Sequence, residues 1–102
     1  GISRASDLDG YQNGRLLGVS GLVLNRQRPG TASGVVFVTL EDESGQFNLV
    51  VWPKVAEAYR KALLQAKLMF VAAELQKVSK VTHLIVRYIR DDSHLLGQLR
   101  TQ

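Results

Sequence analysis

Two histidines, His83 and His94, stand eleven residues apart in a chain of 102 residues. A zinc site needs ligands at close spacing, as in H-x-x-x-H or H-x-E, and neither histidine has such a neighbour. The densest carboxylate group, Glu41-Asp42-Glu43, offers the hard oxygen ligands that a divalent cation takes. It runs into Ser44-Gly45, and acidic residues in such a turn cap the backbone and stay solvated. Asp91-Asp92 reads the same way, as the end of a strand. No serine stands in a G-x-S-x-G elbow, no G-x-x-x-x-G-K-[ST] loop cradles a phosphate, and there is no cysteine. The sequence predicts no catalytic residue, no metal ligand and no cofactor.

Residues suited to binding are better represented. Thirteen Lys/Arg against nine Asp/Glu give a net charge of +4. Each phosphate that a cation neutralises releases counterions and adds affinity, although +4 also keeps a small domain soluble. Arg26 and Arg28 flank Gln27 just before Pro29-Gly30, and Lys77 and Lys80 bracket Val78-Ser79. Phe37, Thr39, Gln46 and Asn48 occur at alternating positions in two neighbouring apolar runs, and His83 and Arg87 share the parity of a third. An exposed phenylalanine among hydrogen-bonding side chains is a stacking platform for an unpaired base.

These residues depend on the elements that carry them. Gly1 to Gly14 is polar without a sustained period and reads as a linker. Arg15 to Leu24 is a strand whose Gly18 and Gly21 predict a bulge or bend. Asn25 to Gly34 is a loop, Val35 to Leu40 a strand, Glu41 to Gly45 a turn and Gln46 to Trp52 the returning strand of a hairpin. Pro53 suits a first helical turn, and Val55, Tyr59, Ala62 and Leu63 then mark one helix face within Lys54 to Ala66. Lys67 to Leu75 is a strand with Met69, Val71, Ala73 and Leu75 inward. Gln76 to Lys80 is a turn, Val81 to Ile89 a fifth strand, and residues 91–102 a tail with a short helix at His94 to Leu99.

At 45% hydrophobic and 22% charged residues, the composition is that of one globular domain, here residues 15–90. The order β-β-β-α-β-β predicts an all-β domain with one helix: the five-stranded Greek-key barrel of the OB-fold. No apolar run approaches the ~18 residues that span a bilayer, and no signal peptide opens the chain, so the expectation is a cytoplasmic monomer away from the membrane.

In that barrel the first loop and the turn between strands four and five flank the ligand face of strands two and three. Arg26, Arg28, Lys77 and Lys80 are therefore expected on its rim. Period two leaves two registers open: Phe37 outward beside Thr39, Gln46 and Asn48, with Val35, Val50 and Ile85 also outward, or Phe37 in the core with the parity slipped by one. Trp52 is expected to pack at the strand–helix junction and Tyr59 in the core, while Tyr88 is unassigned.

Gly21 to Pro53, with R-Q-R-P-G-T at Arg26 to Thr31, G-V-V-F-V-T-L-E-D-E at Gly34 to Glu43 and N-L-V-V-W-P at Asn48 to Pro53, closely resembles one known domain. It is the OB domain near the C-terminus of bacterial error-prone C-family DNA polymerases, the damage-associated form of the polymerase III alpha subunit. The D-x-S-H-L-L ending, Asp91 to Leu96, is similar too, and the resemblance covers roughly Gly14 to Leu96. More distantly, the hairpin looks like anticodon-binding OB domains of class II aminoacyl-tRNA synthetases. There a phenylalanine of strand two stacks a base and a glutamine of strand three contacts one, positions that match Phe37 and Asn48. Glu41 stands where that wider family often has arginine, which removes a cation near the face.

The resemblance implies a non-catalytic module of a bacterial, cytoplasmic nucleotidyl transferase that acts in translesion synthesis, DNA repair and replication. Its expected partner is single-stranded template DNA, met by Arg26, Arg28, Lys77, Lys80 and Arg87 on phosphates and by Phe37, Thr39 and Asn48 on bases. The alternative partner is a sliding clamp or an accessory protein of a mutagenic complex.

Overall fold

The computed structural model describes residues 1–30 and 33–100. Thr31 and Ala32 of the expected loop, and Thr101 and Gln102 of the expected tail, lie outside the described residues.

The longest strand, β2 (Leu16–Gln27), belongs to both halves of a barrel. Its first part, Leu16 to Leu22, pairs antiparallel with β5 (Leu68–Val78), and Leu22 to Gln27 pairs antiparallel with β3 (Val36–Asp42). The changeover needs close backbone approach. A Cβ on Gly21 would stand 2.7 Å from the carbonyl oxygen of Glu41, and one on Gly18 would stand 2.9 Å from the Phe70 ring. The glycines thus serve tight packing, while the expected bulge lies further along, between Val23 and Asn25. β3 turns into β4 (Gly45–Val51), β4 pairs parallel with β6 (Val81–Asp91), and β6 pairs antiparallel with β5. The β2–β5 pairing closes the five-stranded barrel predicted from strand order.

Alternation fills the interior. Val36, Val38 and Leu40, then Phe47, Leu49 and Val51, then Met69, Val71, Ala73 and Leu75 are all buried in one cluster. In β6 a register shift leaves Arg87 unpaired, so that both Val86 and Ile89 reach the core, three residues apart. Leu63 caps this core, with Val55, Tyr59 and Ala62 partly buried against it. The expected single helix is two: α1 (Pro53–Ala58) and α2 (Arg60–Gln65), kinked at Tyr59, whose φ is −119° and ψ 32°.

Residues 1–14, expected as a linker, are instead packed on the barrel. β1 (Ile2–Ser3) lies parallel to β2, and a 3-10 helix over Ala5–Gly10 inserts Leu8 into the core. A single buried apolar residue leaves no period to read, which is why the sequence showed none. The tail forms α3 (His94–Arg100), held by the Asp92 N–H on the Leu68 carbonyl and by the Lys67 N–H on Ser93 Oγ. Among the described residues no helix is long and apolar enough to cross a membrane.

Candidate nucleic-acid interface

With Val36, Val38 and Leu40 inside, period two turns Phe37, Thr39 and Glu41 outward. The register with Phe37 in the core does not occur: the residue is 39% exposed. On β4, Gln46 and Asn48 are likewise exposed. Thr39 faces Asn48 directly, Phe37 faces Val50, and Val50 in turn neighbours Ile85 across the parallel pairing. The outer face therefore carries an apolar rung beside a hydrogen-bonding one.

The apolar rung opens into a groove of about 420 Å³. Val35, Phe37, Val50, Trp52 and Ile85 line it, with Pro29 and Ser33 from the first loop on one side and Gln76 and His83 on the other. Gln76 and His83 are cross-strand partners on β5 and β6. Val35 and Val50 point outward as expected, yet each is only 7% exposed and neither belongs to the core cluster. They form the floor.

Trp52 was missed. Its backbone does sit at the strand–helix junction, where its carbonyl accepts from the Ala56 N–H, but the residue is 52% exposed and lines the groove. The signal was available, because Trp52 shares the parity of Asn48 and Val50. Tyr88, left unassigned, packs edge-on against Tyr59 at 5.3 Å and Phe70 at 6.2 Å, and lines no part of the groove.

The expected cations fall into two groups. Arg28 and Lys80 are exposed and have no hydrogen-bond or ion-pair partner among the described residues. The other three are engaged. Arg26 Nε donates to the Leu63 carbonyl at 2.6 Å and its terminal nitrogen to the Ala66 carbonyl, capping the end of α2. Lys77 lies in β5 rather than in a turn, and its ammonium donates to the Asp9 carbonyl at 3.1 Å and the Tyr11 carbonyl at 2.6 Å. Arg87 pairs with Glu74. The turn itself is only Ser79-Lys80, with Ser79 at a φ of 57°.

Electrostatically, the acidic turn behaves as a cap. Asp42 Oδ1 accepts from the Ser44 N–H, the Ser44 hydroxyl and the Gly45 N–H, while Oδ2 accepts from the Ala5 N–H. Burial pushes the Asp42 carboxyl up, but these hydrogen bonds outweigh it and hold the group below the ordinary aspartate value. Among the described residues no three His, Cys, Asp or Glu side chains come together to hold a metal. What the face offers is ring surface, hydrogen-bonding groups and, nearby, two cations with no partner among the described residues.

Residues 17–92 match the tRNA anti-codon family model, described as an OB-fold nucleic acid binding domain. The error-prone DNA polymerase of Alkalilimnicola ehrlichii is 52% identical over 95 residues, covering 93% of this chain and 9% of that protein. Error-prone DNA polymerase 1 of Rhizobium meliloti is 43% identical over 102 residues, again 9% of its length. The chain thus spans about a tenth of these relatives. Asparaginyl-tRNA synthetase from Pyrococcus horikoshii, complexed with asparaginyl-adenylate, superposes with a TM-score of 0.75 at 16% identity, over 90% of this chain and 22% of that one, a likeness of fold. A closed barrel in the predicted strand order and a family match running from Leu17 in β2 to Asp92 just beyond β6 lead to one assignment: the chain belongs to the OB-fold nucleic acid binding domain family.

Proposed function

We propose that this domain binds single-stranded DNA without strong sequence preference, as the template-contacting module of a bacterial, cytoplasmic error-prone DNA polymerase in translesion synthesis. The observation that carries the reading is Phe37, an exposed ring on the outer β3–β4 face beside Thr39 and Asn48. Base stacking on such a ring contributes ~1–3 kcal/mol and tolerates any base, because every base has a π-face. Arg28 and Lys80 supply the free cations for phosphates, and Arg26, Lys77 and Arg87 add to the positive field while their own hydrogen bonds hold them. The parent polymerase's catalysis would belong to its other domains.

The test is an amide chemical-shift titration with oligo-dT at low salt. Shifts confined to β3, β4 and the first loop, with a midpoint raised by Phe37→Ala and by salt, are expected. No shift on these strands sinks the reading.

A second reading has one observation in its favour: among the described residues no Lys or Arg lines the groove, and its floor is apolar. On that reading the face docks a sliding clamp or an accessory protein of a mutagenic complex. A pull-down of purified clamp and accessory proteins that survives high salt favours docking, since phosphate contacts weaken with salt and apolar ones do not.

A further inference from the structure

The groove holds a second ring, and its position suggests how a base is gripped. Phe37 lies directly opposite Val50, and Trp52 follows Val50 by two residues in extended backbone, with φ −72° and ψ 157°. Phe37 and Trp52 are therefore diagonal neighbours, and Val35 and Val50 occupy the other diagonal, each 7% exposed beneath the open groove. Diagonal positions across an antiparallel pair stand ~7–8 Å apart. Stacked nucleic-acid bases are spaced ~3.4 Å, so two stacking gaps fill about that separation. Among the described residues no carboxylate lines the groove, and its polar lining groups include Gln76 and His83, which carry donors and acceptors suited to a base edge.

We infer that Phe37 and Trp52 form a two-sided clamp that takes one unpaired base between their rings, over a floor of Val35, Val50 and Ile85. This rests on the nucleic-acid reading above but specifies more: one base shared by two rings. It makes Trp52 a binding residue, outside the strand-two phenylalanine and strand-three amide expected from the family resemblance.

The 102-residue chain contains a single tryptophan, so its intrinsic fluorescence reports the clamp directly. On titration with oligo-dT at low salt, the emission is expected to be quenched with the same midpoint as the amide shifts. Phe37→Ala, Trp52→Ala and the shape-filling Trp52→Leu are each expected to weaken binding roughly tenfold. The Phe37→Ala/Trp52→Ala double variant should bind within about twofold of either single variant, because a base that has lost one side of the clamp gains little from the other. Multiplicative losses would mean two separate bases and overturn the clamp. Amide shifts on β3 and β4 with unchanged fluorescence would overturn it too, while leaving DNA binding intact. Absence of both signals would remove the nucleic-acid reading along with it. Dispersed amide spectra of the variants confirm that folding is not what changed.

Discussion

The backbone N–H of Ala5 donates to Asp42 Oδ2 at 2.9 Å, joining the first residues of the chain to the tip of the β3–β4 hairpin. The same carboxylate already closes its own turn through Ser44 and Gly45. One ionised side chain therefore holds both the hairpin and the segment packed against it.

Acid should loosen this joint. The folded-state pKa of Asp42 is depressed, so its contribution is present above the ordinary aspartate value, roughly pH 4, and is lost as pH falls through the lower folded value. Urea midpoints measured at pH 7 and pH 3 should fall less for Asp42→Asn than for the parent, the variant having started lower. Equal losses in both would contradict this.

The N-terminal segment should matter to folding. Leu8 is 6% exposed within the core cluster, so Leu8→Ala is expected to cost ~2–3 kcal/mol in chemical denaturation. Removal of residues 1–11 should lower the melting temperature still further. An unchanged melting temperature would restore the linker expected from the sequence.

Arg26 and Arg28 should part company. Arg26→Gln strips two carbonyls at the end of α2 and is expected to cost ~1–2 kcal/mol of stability, with the salt dependence of DNA binding unaltered. Arg28→Gln should leave stability alone and reduce the slope of log affinity against log salt by about 0.7, one single-strand phosphate contact. Reversed outcomes would assign the loop cation to structure and the strand cation to phosphate.

Gly21→Ala should strain the barrel. The new methyl would meet backbone of β3, not a movable side chain, at 2.7 Å. A loss of ~1–3 kcal/mol is expected from the shift that β2 and β3 must make, read as a lower denaturation midpoint.

The barrel was legible because its strands alternate cleanly: Val36, Val38 and Leu40, or Met69 to Leu75, place themselves by period alone. The kink at Tyr59 was not legible, since Val55, Tyr59, Ala62 and Leu63 keep one helix face on either side of it. Parity alone left Phe37 open between outside and core, and the burial of its neighbours decided it. The partners of the cations were not legible for a different reason. Arg26, Lys77 and Arg87 stand where the fold usually meets ligand, but a long side chain reaches backbone carbonyls or a carboxylate several ångströms from its own position, and no sequence period records that. Trp52 stands between a strand end and Pro53, where packing is the expectation, while its parity with Val50 turns it toward the groove.

The parallel joint between β4 and β6 consists of two residue pairs, Leu49 with Leu84 and Val50 with Ile85, and is the shortest seam of the closed cylinder. The groove lies across it, with Val50 and Ile85 from either side of the seam in its floor. A strand of DNA seated there would act as a suture: opening the cylinder would mean letting go of the ligand, so binding and seam closure are thermodynamically linked. Hydrogen exchange at the backbone amides of Leu49 to Val51 and Leu84 to Val86 should then slow on adding oligo-dT, more than exchange anywhere on β2.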